Sequence, residues 1–356
     1  MSRLRVALDA RRLQDRPLRG VGRSLDSVLG LLASEMDLVL LTDARRPPVP
    51  SELQQQPLRP PPNAPGSFWL QWNVSRWLRE FHGVFHGTFN AIPWRTPVPS
   101  VVTIHDLSFE LHPEDFGIAK RWVFRRQARH AVKTAGRTVV DCEHARSEVI
   151  GHYGLAPERV VVAPLSFSPA FHPGRARFAA AVLERLGVSR RYLVALGGAR
   201  RRGLEVAVAA WRRVRSSGFD IDLVVVGTER LAPEPGLTVA GVLSDEEWSA
   251  VFAGAAAFCY PTRFEGFGLP ALEALASGTP VVCAPVGPLP EVLGDAAEWC
   301  EAPTESAIFE GLRRVLGDPD HAAGLRQRGL TRAQERGGWE ECATQLILAY
   351  RQAAAG

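Results

Sequence analysis

Residues 257–278 read Ala257-Phe258-Cys259-Tyr260-Pro261-Thr262-Arg263-Phe264-Glu265-Gly266-Phe267-Gly268-Leu269-Pro270-Ala271-Leu272-Glu273-Ala274-Leu275-Ala276-Ser277-Gly278, and this stretch decides the fold. Its first four residues are a short apolar run, bounded by a Pro-Thr-Arg break, as a buried strand would be. Pro270 suits the first turn of a helix, where its missing N–H costs nothing. Gly278 suits the position just past the end of that helix. The expected unit is strand, loop, helix, with Glu265 in the loop and Glu273 in the first helical turn. Gly266 and Gly268 let the backbone approach a ligand closely. Free N–H groups at the helix start favour an anion or a sugar hydroxyl. Two carboxylates around such a loop can each accept hydrogen bonds from a pair of vicinal hydroxyls. The chemistry suits a phosphate-linked sugar.

Working outward, β-like runs alternate with helical stretches along the whole chain. Strands are expected at Arg5–Leu8, Leu38–Leu41, Val101–Ile104, Thr138–Val140 and Val160–Ala163, then at Tyr192–Leu196, Leu223–Val226, Ala257–Tyr260 and Val281–Ala284. Alternation of this kind implies doubly wound parallel sheets. The two series are separated by the proline-punctuated connector Ser166–Gly174. An α/β protein of two Rossmann-like domains follows, 1–168 and 169–338, with a terminal helix over 339–356 that packs back on the first. Eight prolines within residues 47–65 mark an extended surface loop inside the first domain.

The length of 356 residues also favours two domains. No apolar run approaches the ~18 residues of a membrane helix, and the N-terminus shows no secretory signal core. Five cysteines without a Cys-x-x-Cys exclude a disulfide scaffold or thiolate zinc site and suit the reducing cytoplasm. No cluster of His, Asp or Cys has metal-ligand spacing. Residues 1–170 carry 22 Lys+Arg against 16 Asp+Glu, while residues 171–356 carry 20 against 22. The basic half could face a phosphorylated substrate, an anionic membrane or nucleic acid, but there is no Lys/Arg tract of the nucleic-acid-tail kind. Of the 42 cations 40 are arginine, so any phosphate is gripped chiefly by guanidinium forks.

The paired glutamates around Gly-Phe-Gly-Leu-Pro, followed by Ser277-Gly-Thr-Pro-Val-Val282 and Leu289-Pro-Glu-Val292, resemble family-4 (group 1) retaining glycosyltransferases. Asp9-Ala-Arg11, Gly20-Val-Gly22-Arg23, His105-Asp106 with His112-Pro-Glu114, and Gly241-Val-Leu-Ser-Asp245 extend the resemblance over nearly the whole chain. It implies the GT-B fold, two Rossmann-like domains facing each other across a cleft, and a hexosyltransferase acting in glycan or polysaccharide synthesis. It implies a nucleotide-sugar donor, a glycan or lipid-linked acceptor, and neither a cofactor nor a metal. The His105–Glu114 stretch resembles mannosyltransferase-like members and implies GDP-mannose.

By position, the resemblance gives Glu273 the ribose hydroxyls. It gives Glu265, with the N–H groups of Gly266, Phe267, Gly268 and Leu269, the hexose and diphosphate. Arg201 and Arg202 stand where a pair of cations meets the leaving diphosphate, whose growing charge fixed cations stabilise. His105, at the end of an apolar run, lies near the donor sugar, or is a cleft histidine bonded to Asp106 or to backbone. Gly22 would aim a helix start at the diphosphate or acceptor, Arg146 reach sugar or phosphate, and the Val242 loop hold the base. The loop Gly197–Gly203 departs from the family by one residue, with Gly203 in place of asparagine, and Leu165–Ser168 and Cys142–Ala145 also depart. Two other readings remain: a nucleotide-sugar epimerase of the same fold, and a non-catalytic nucleotide-sugar-binding scaffold. The segment Ile118–Lys133 interleaves six cations with Trp122, Val123 and Phe124. It is either a core-packed helix with a solvated basic face or a dock for anionic lipid on the inner membrane face.

Overall fold

The computed structural model describes residues 3–18 and 20–356. The chain forms two compact units, residues 1–165 with 338–356, and residues 166–337.

The first unit is built on seven parallel strands: β1 (Arg5–Asp9), β2 (Asp37–Asp43), β3 (Gln54–Leu58), β4 (Val84–Gly87), β5 (Ser100–Thr103), β6 (Arg137–Val140) and β7 (Val160–Val162). Their order is β3-β2-β1-β4-β5-β6-β7. The order reverses between β1 and β4. In open sheets of this kind ligands bind beyond the carboxyl ends of the strands at that reversal. Helix α1 (Gly20–Glu35) packs against the sheet through Leu25, Val28, Leu29 and Leu32. Gly22 in its first turn is buried, and a Cβ there would stand 2.6 Å from the carbonyl oxygen of Arg12. That glycine lets the helix start close against the turn after β1.

Helix α2 (Ile118–Thr134) buries only Ala128, Ala131 and Val132, all in its last two turns. Ile118 is 90% and Trp122 60% exposed. The core-packed reading of this segment therefore holds for its C-terminal half alone. Helix α3 (Glu143–Tyr153) follows β6. The chain returns to this unit at its end. Helix α7 (Glu340–Ala355) sets Cys342, Leu346, Ala349, Tyr350 and Ala353 into the same core as β1 and α1.

The second unit has six parallel strands: β8 (Tyr192–Leu196), β9 (Asp222–Val226), β10 (Leu237–Gly241), β11 (Ala257–Tyr260), β12 (Val281–Cys283) and β13 (Ala297–Trp299). The order β10-β9-β8-β11-β12-β13 repeats the same reversal, between β8 and β11. Three helices frame the carboxyl ends of these strands: α4 (Leu204–Ser216), α5 (Asp245–Gly254) and α6 (Leu269–Ala276).

Two expectations need correction. The proline-rich stretch is not all loop, since it contains β3, an edge strand. Pro57 is tolerated there because only one side of the strand must pair. Glu273 is not in the first turn of its helix. Helix α6 begins at Leu269, so Glu273 lies in the second turn.

Candidate active site

In the second unit the turn after β8 and the loop after β11 meet where the strand order reverses. Arg200–Arg202 form one short helical turn ending at Gly203. The carbonyl of Arg201 accepts the Arg263 N–H at 2.7 Å and the Thr262 hydroxyl at 3.2 Å. Gly203 has φ +65°, a conformation open to glycine and asparagine alike. A Cβ at 203 would collide with the Pro261 carbonyl, so in this shortened loop glycine is the residue that fits. That accounts for the departure at this position. Arg202 Nη1 donates to the Gly197 carbonyl at 2.6 Å. Arg201 and Arg202 are half-buried while Arg200 is exposed, and the Nε of both half-buried arginines is buried without a hydrogen-bond partner among the described residues.

Glu265 lies in the loop between β11 and α6. Its Oε1 accepts the hydroxyl of the buried Tyr260, and its Oε2 accepts the Gly268 N–H at 3.1 Å. Gly268 has φ +95°, and a Cβ there would stand 2.5 Å from Leu289. Glycine is therefore required for the loop to close on its own carboxylate. Burial and then the Glu265 charge push the Tyr260 phenol well above its ordinary pKa, while Arg202 and Arg201 pull the other way. The phenol therefore stays a hydrogen-bond donor. Both arginines thus lie within electrostatic reach of the Tyr260 hydroxyl.

Glu273 is 1% exposed, and its Oε2 accepts the Trp248 indole N–H at 3.3 Å. Trp248 lies one turn into α5, which starts from a capping box made by Ser244 and Glu247. Trp248 thereby ties Glu273 to the loop carrying Val242, whose side chain is exposed. Glu229, in the loop after β9, takes the Gly198 N–H in the glycine turn after β8. No motif marks Glu229 in the sequence, yet it occupies donors that an incoming anion would want.

His105 belongs to the first unit. It follows β5, and its Nδ1 meets Asp141 Oδ2 at 2.8 Å and its Nε2 the Thr88 carbonyl at 3.1 Å. With an acceptor on each nitrogen, both contacts are satisfied only when each nitrogen carries a proton. Burial disfavours that charge, but Asp141 and Thr88 outweigh it and hold the pKa above the ordinary value. The two-acceptor geometry thus favours the doubly protonated imidazole. Asp106 is engaged elsewhere, accepting the Ser108 N–H at 2.8 Å. His86 is the opposite case. Buried between Tyr350 and Thr103, it is pushed down to about 3 by burial and then by the His105 charge. Arg146 is held by backbone of its own unit. Its Nε and Nη2 donate to the carbonyls of Val160 and Pro157 at 3.3 and 3.2 Å.

Residues 189–332 match the family model described as Glycosyl transferases group 1, and residues 18–171 match Glycosyltransferase Family 4. The chain is 29% identical over 295 residues to the O-antigen chain mannosyltransferase B of Escherichia coli, spanning 77% of this chain and 76% of that one. It is 30% identical over 256 residues to the MMP alpha-(1->4)-mannosyltransferase of Mycolicibacterium hassiacum, spanning 67% of this chain and 59% of the relative. Among solved structures, sucrose-phosphate synthase from Thermosynechococcus elongatus superposes with a TM-score of 0.77 at 19% identity, over 99% of this chain and 100% of that one. The Anabaena protein HepE, solved with UDP and glucose, gives 0.72 at 14% identity, over 98% and 99%. The fold is of the GT-B class.

Proposed function

The chain belongs to the group 1, family-4 glycosyltransferases and is a hexosyltransferase of glycan biosynthesis, and from that premise we propose that it transfers mannose from GDP-mannose to a hydroxyl acceptor with retention of anomeric configuration. The observation that carries the reading is the Glu265 loop beside Arg201 and Arg202 at the strand-order reversal of the second unit. Those two arginines are the cations for the diphosphate, whose charge grows as the glycosidic bond breaks. The N–H groups of Gly266–Leu269 and the Glu265 carboxylate orient the hexose. Both Glu265 oxygens already accept hydrogen bonds, from Tyr260 and Gly268. A carboxylate so engaged is a positioning group rather than a nucleophile, which favours same-face attack assisted by the departing phosphate. The guanidinium charge takes the place of a divalent cation. Glu273 and the Val242 loop serve the nucleoside.

The mannose donor draws on the two mannosyltransferase relatives, while HepE, solved with UDP and glucose, supports a nucleotide-sugar donor in general. Among the described residues no helix is long and apolar enough to cross a membrane. Contact with an anionic inner membrane face is proposed through α2. Its exposed Ile118 and Trp122 stand among Arg121, Arg125, Arg126 and Arg129, and among the described residues Arg125 pairs with the buried carboxylate of Glu110 at 2.6 Å. A thermal-shift screen against GDP-, UDP-, ADP- and dTDP-sugars tests the donor. A bound ligand raises stability by RT ln(1 + [L]/Kd), so the GDP-sugars should stand apart. Conversion of the nucleotide sugar without any acceptor, seen by NMR, would replace transfer by epimerisation. Binding without turnover on any acceptor would indicate a scaffold.

A further inference from the structure

The tetrapeptide Asp-Ala-Arg-Arg occurs twice, at residues 9–12 and 43–46. The fold sets the copies side by side, because they follow the neighbouring parallel strands β1 and β2. In each copy the first arginine folds back as a fork on the aspartate two residues earlier. Arg11 reaches the two Asp9 oxygens at 2.9 and 2.5 Å, and Arg45 reaches those of Asp43 at 3.0 and 2.6 Å. The remaining Nη1 of each fastens the proline-rich stretch, Arg11 to the Gly66 carbonyl at 2.9 Å and Arg45 to that of Ala64 at 2.8 Å. These two arginines neutralise the aspartates and hold a wall in place.

The second arginines behave differently. Arg46 donates to the Arg11 carbonyl at 2.7 Å and pairs with Asp15. Arg12 stands over the Phe89 ring at 4.0 Å, and its carboxylate contact is Asp15 Oδ2 at 3.6 Å, beyond hydrogen-bond length. Its guanidinium therefore keeps its five N–H donors unspent among the described residues. Arg12 follows β1 and Phe89 follows β4, so the pair marks the strand-order reversal of the first unit. The four arginines of the two tetrapeptides line a cavity of about 530 Å³ whose lining also includes an apolar part with Leu70, Phe89 and Phe124. That volume suits a small-molecule group. Counting Asp15, four guanidinium groups there face three carboxylates. The cavity thus keeps one uncompensated positive charge beside an apolar wall.

We propose that this cavity holds the anionic group of the acceptor, a phosphate ester joined to an apolar portion, with Arg12 as the guanidinium that grips it. The inference rests on the transferase reading and gives the class of its second substrate. Phe89 supports the free fork by cation–π contact, so little side-chain freedom is lost on binding. Phe124 comes from α2, the helix whose exposed face is proposed to meet lipid, and a lipid-linked phosphate would run between the two. A soluble sugar phosphate would use the same arginine and leave the apolar wall empty.

Isothermal titration of the full chain with farnesyl phosphate, glycerol 3-phosphate and farnesol tests this, alongside GDP as a measure of the donor site. Farnesyl phosphate should bind and farnesol should not. Charge-assisted hydrogen bonds lost in Arg12→Gln should weaken farnesyl phosphate about tenfold or more, with Arg12→Lys between the two. Phe89→Leu should weaken it by less, and GDP affinity should be unchanged in all three variants. Glycerol 3-phosphate binding as tightly as farnesyl phosphate, and equally lost in Arg12→Gln, would keep the anion site and assign it to a soluble acceptor. Equal affinity in parent and all variants, or no phosphate ester bound by the parent, overturns the proposal while intact GDP binding leaves the transferase reading standing. A loss of GDP affinity in Arg12→Gln would also overturn it, since the cavity would then serve the donor.

Discussion

Replacing Tyr260 by Phe removes one oxygen and nothing else from a fully buried ring, and so isolates the hydrogen bond to Glu265 Oε1. A hydrogen bond to a charged group contributes roughly 1.5–3 kcal/mol. Glu265 is itself half-buried, so water replaces part of the lost contact and the lower end, about 1.5 kcal/mol, is expected. The second unit spans residues 166–337. For a domain of about this size each kcal/mol moves the melting point by roughly 2–4 °C, which gives a fall of roughly 3–6 °C. The same loosening releases Glu265 from the position proposed for it against the sugar. If the whole 1.5 kcal/mol falls on the transition state, kcat/KM drops about tenfold. Calorimetry and donor turnover on Tyr260→Phe, Glu265→Gln and the double variant complete a cycle. A coupling energy of about 1 kcal/mol or more is expected. Effects that add to within about 0.5 kcal/mol would mean that the two side chains act independently, and the reasoning would fail.

Histidine NMR should separate the two buried imidazoles of the first unit. His105 is expected to remain doubly protonated as pH rises past the ordinary value near 6.5, whereas His86 stays neutral on acidification to about pH 3. The raised His105 pKa contributes stability that is complete below about pH 6.5 and disappears as pH climbs through the folded-state value. His86 works in the opposite sense, and stability falls as pH drops below about 6.5 because the unfolded chain takes up the proton first. A His105 resonance that titrates below 6.5 would contradict the two-acceptor geometry. Glu229→Gln should tighten GDP binding severalfold by removing a carboxylate from the Gly198 N–H; calorimetry showing weaker binding would make Glu229 a ligand group instead. Dialysis against EDTA should leave transfer unchanged, and rescue by manganese after a loss would require a divalent ion in the mechanism.

The strand–loop–helix block at 257–278 was readable because its signals are local. An apolar run, Pro270 in the first turn and Gly278 past the end each act within one turn of the chain. Four strands, β3, β4, β10 and β13, were not readable. β3 is Gln-Gln-Gln-Pro-Leu, β10 is half-exposed throughout, and β13 has three residues. β4 mixes His86 and Gly87 into four residues. None offers a long apolar run, and only pairing with a neighbour makes each a strand. The glutamates and arginines of the candidate site could be named from motif context, but their partners could not. His105 and Asp141 are 36 positions apart, and Trp248 and Glu273 are 25 apart. Such pairs exist only once the sheet order brings them together. Asp141 had a faint signal, a carboxylate directly after an apolar strand, and Glu229 had none.

A crystal structure of the chain with GDP-mannose in EDTA-containing solution tests the central claim most directly. The account predicts the diphosphate within hydrogen-bond distance of Arg201 or Arg202 and the hexose against Glu265 and the N–H groups of Gly266–Leu269. A donor found on the other unit, or one bound only when a divalent cation is restored, would contradict it.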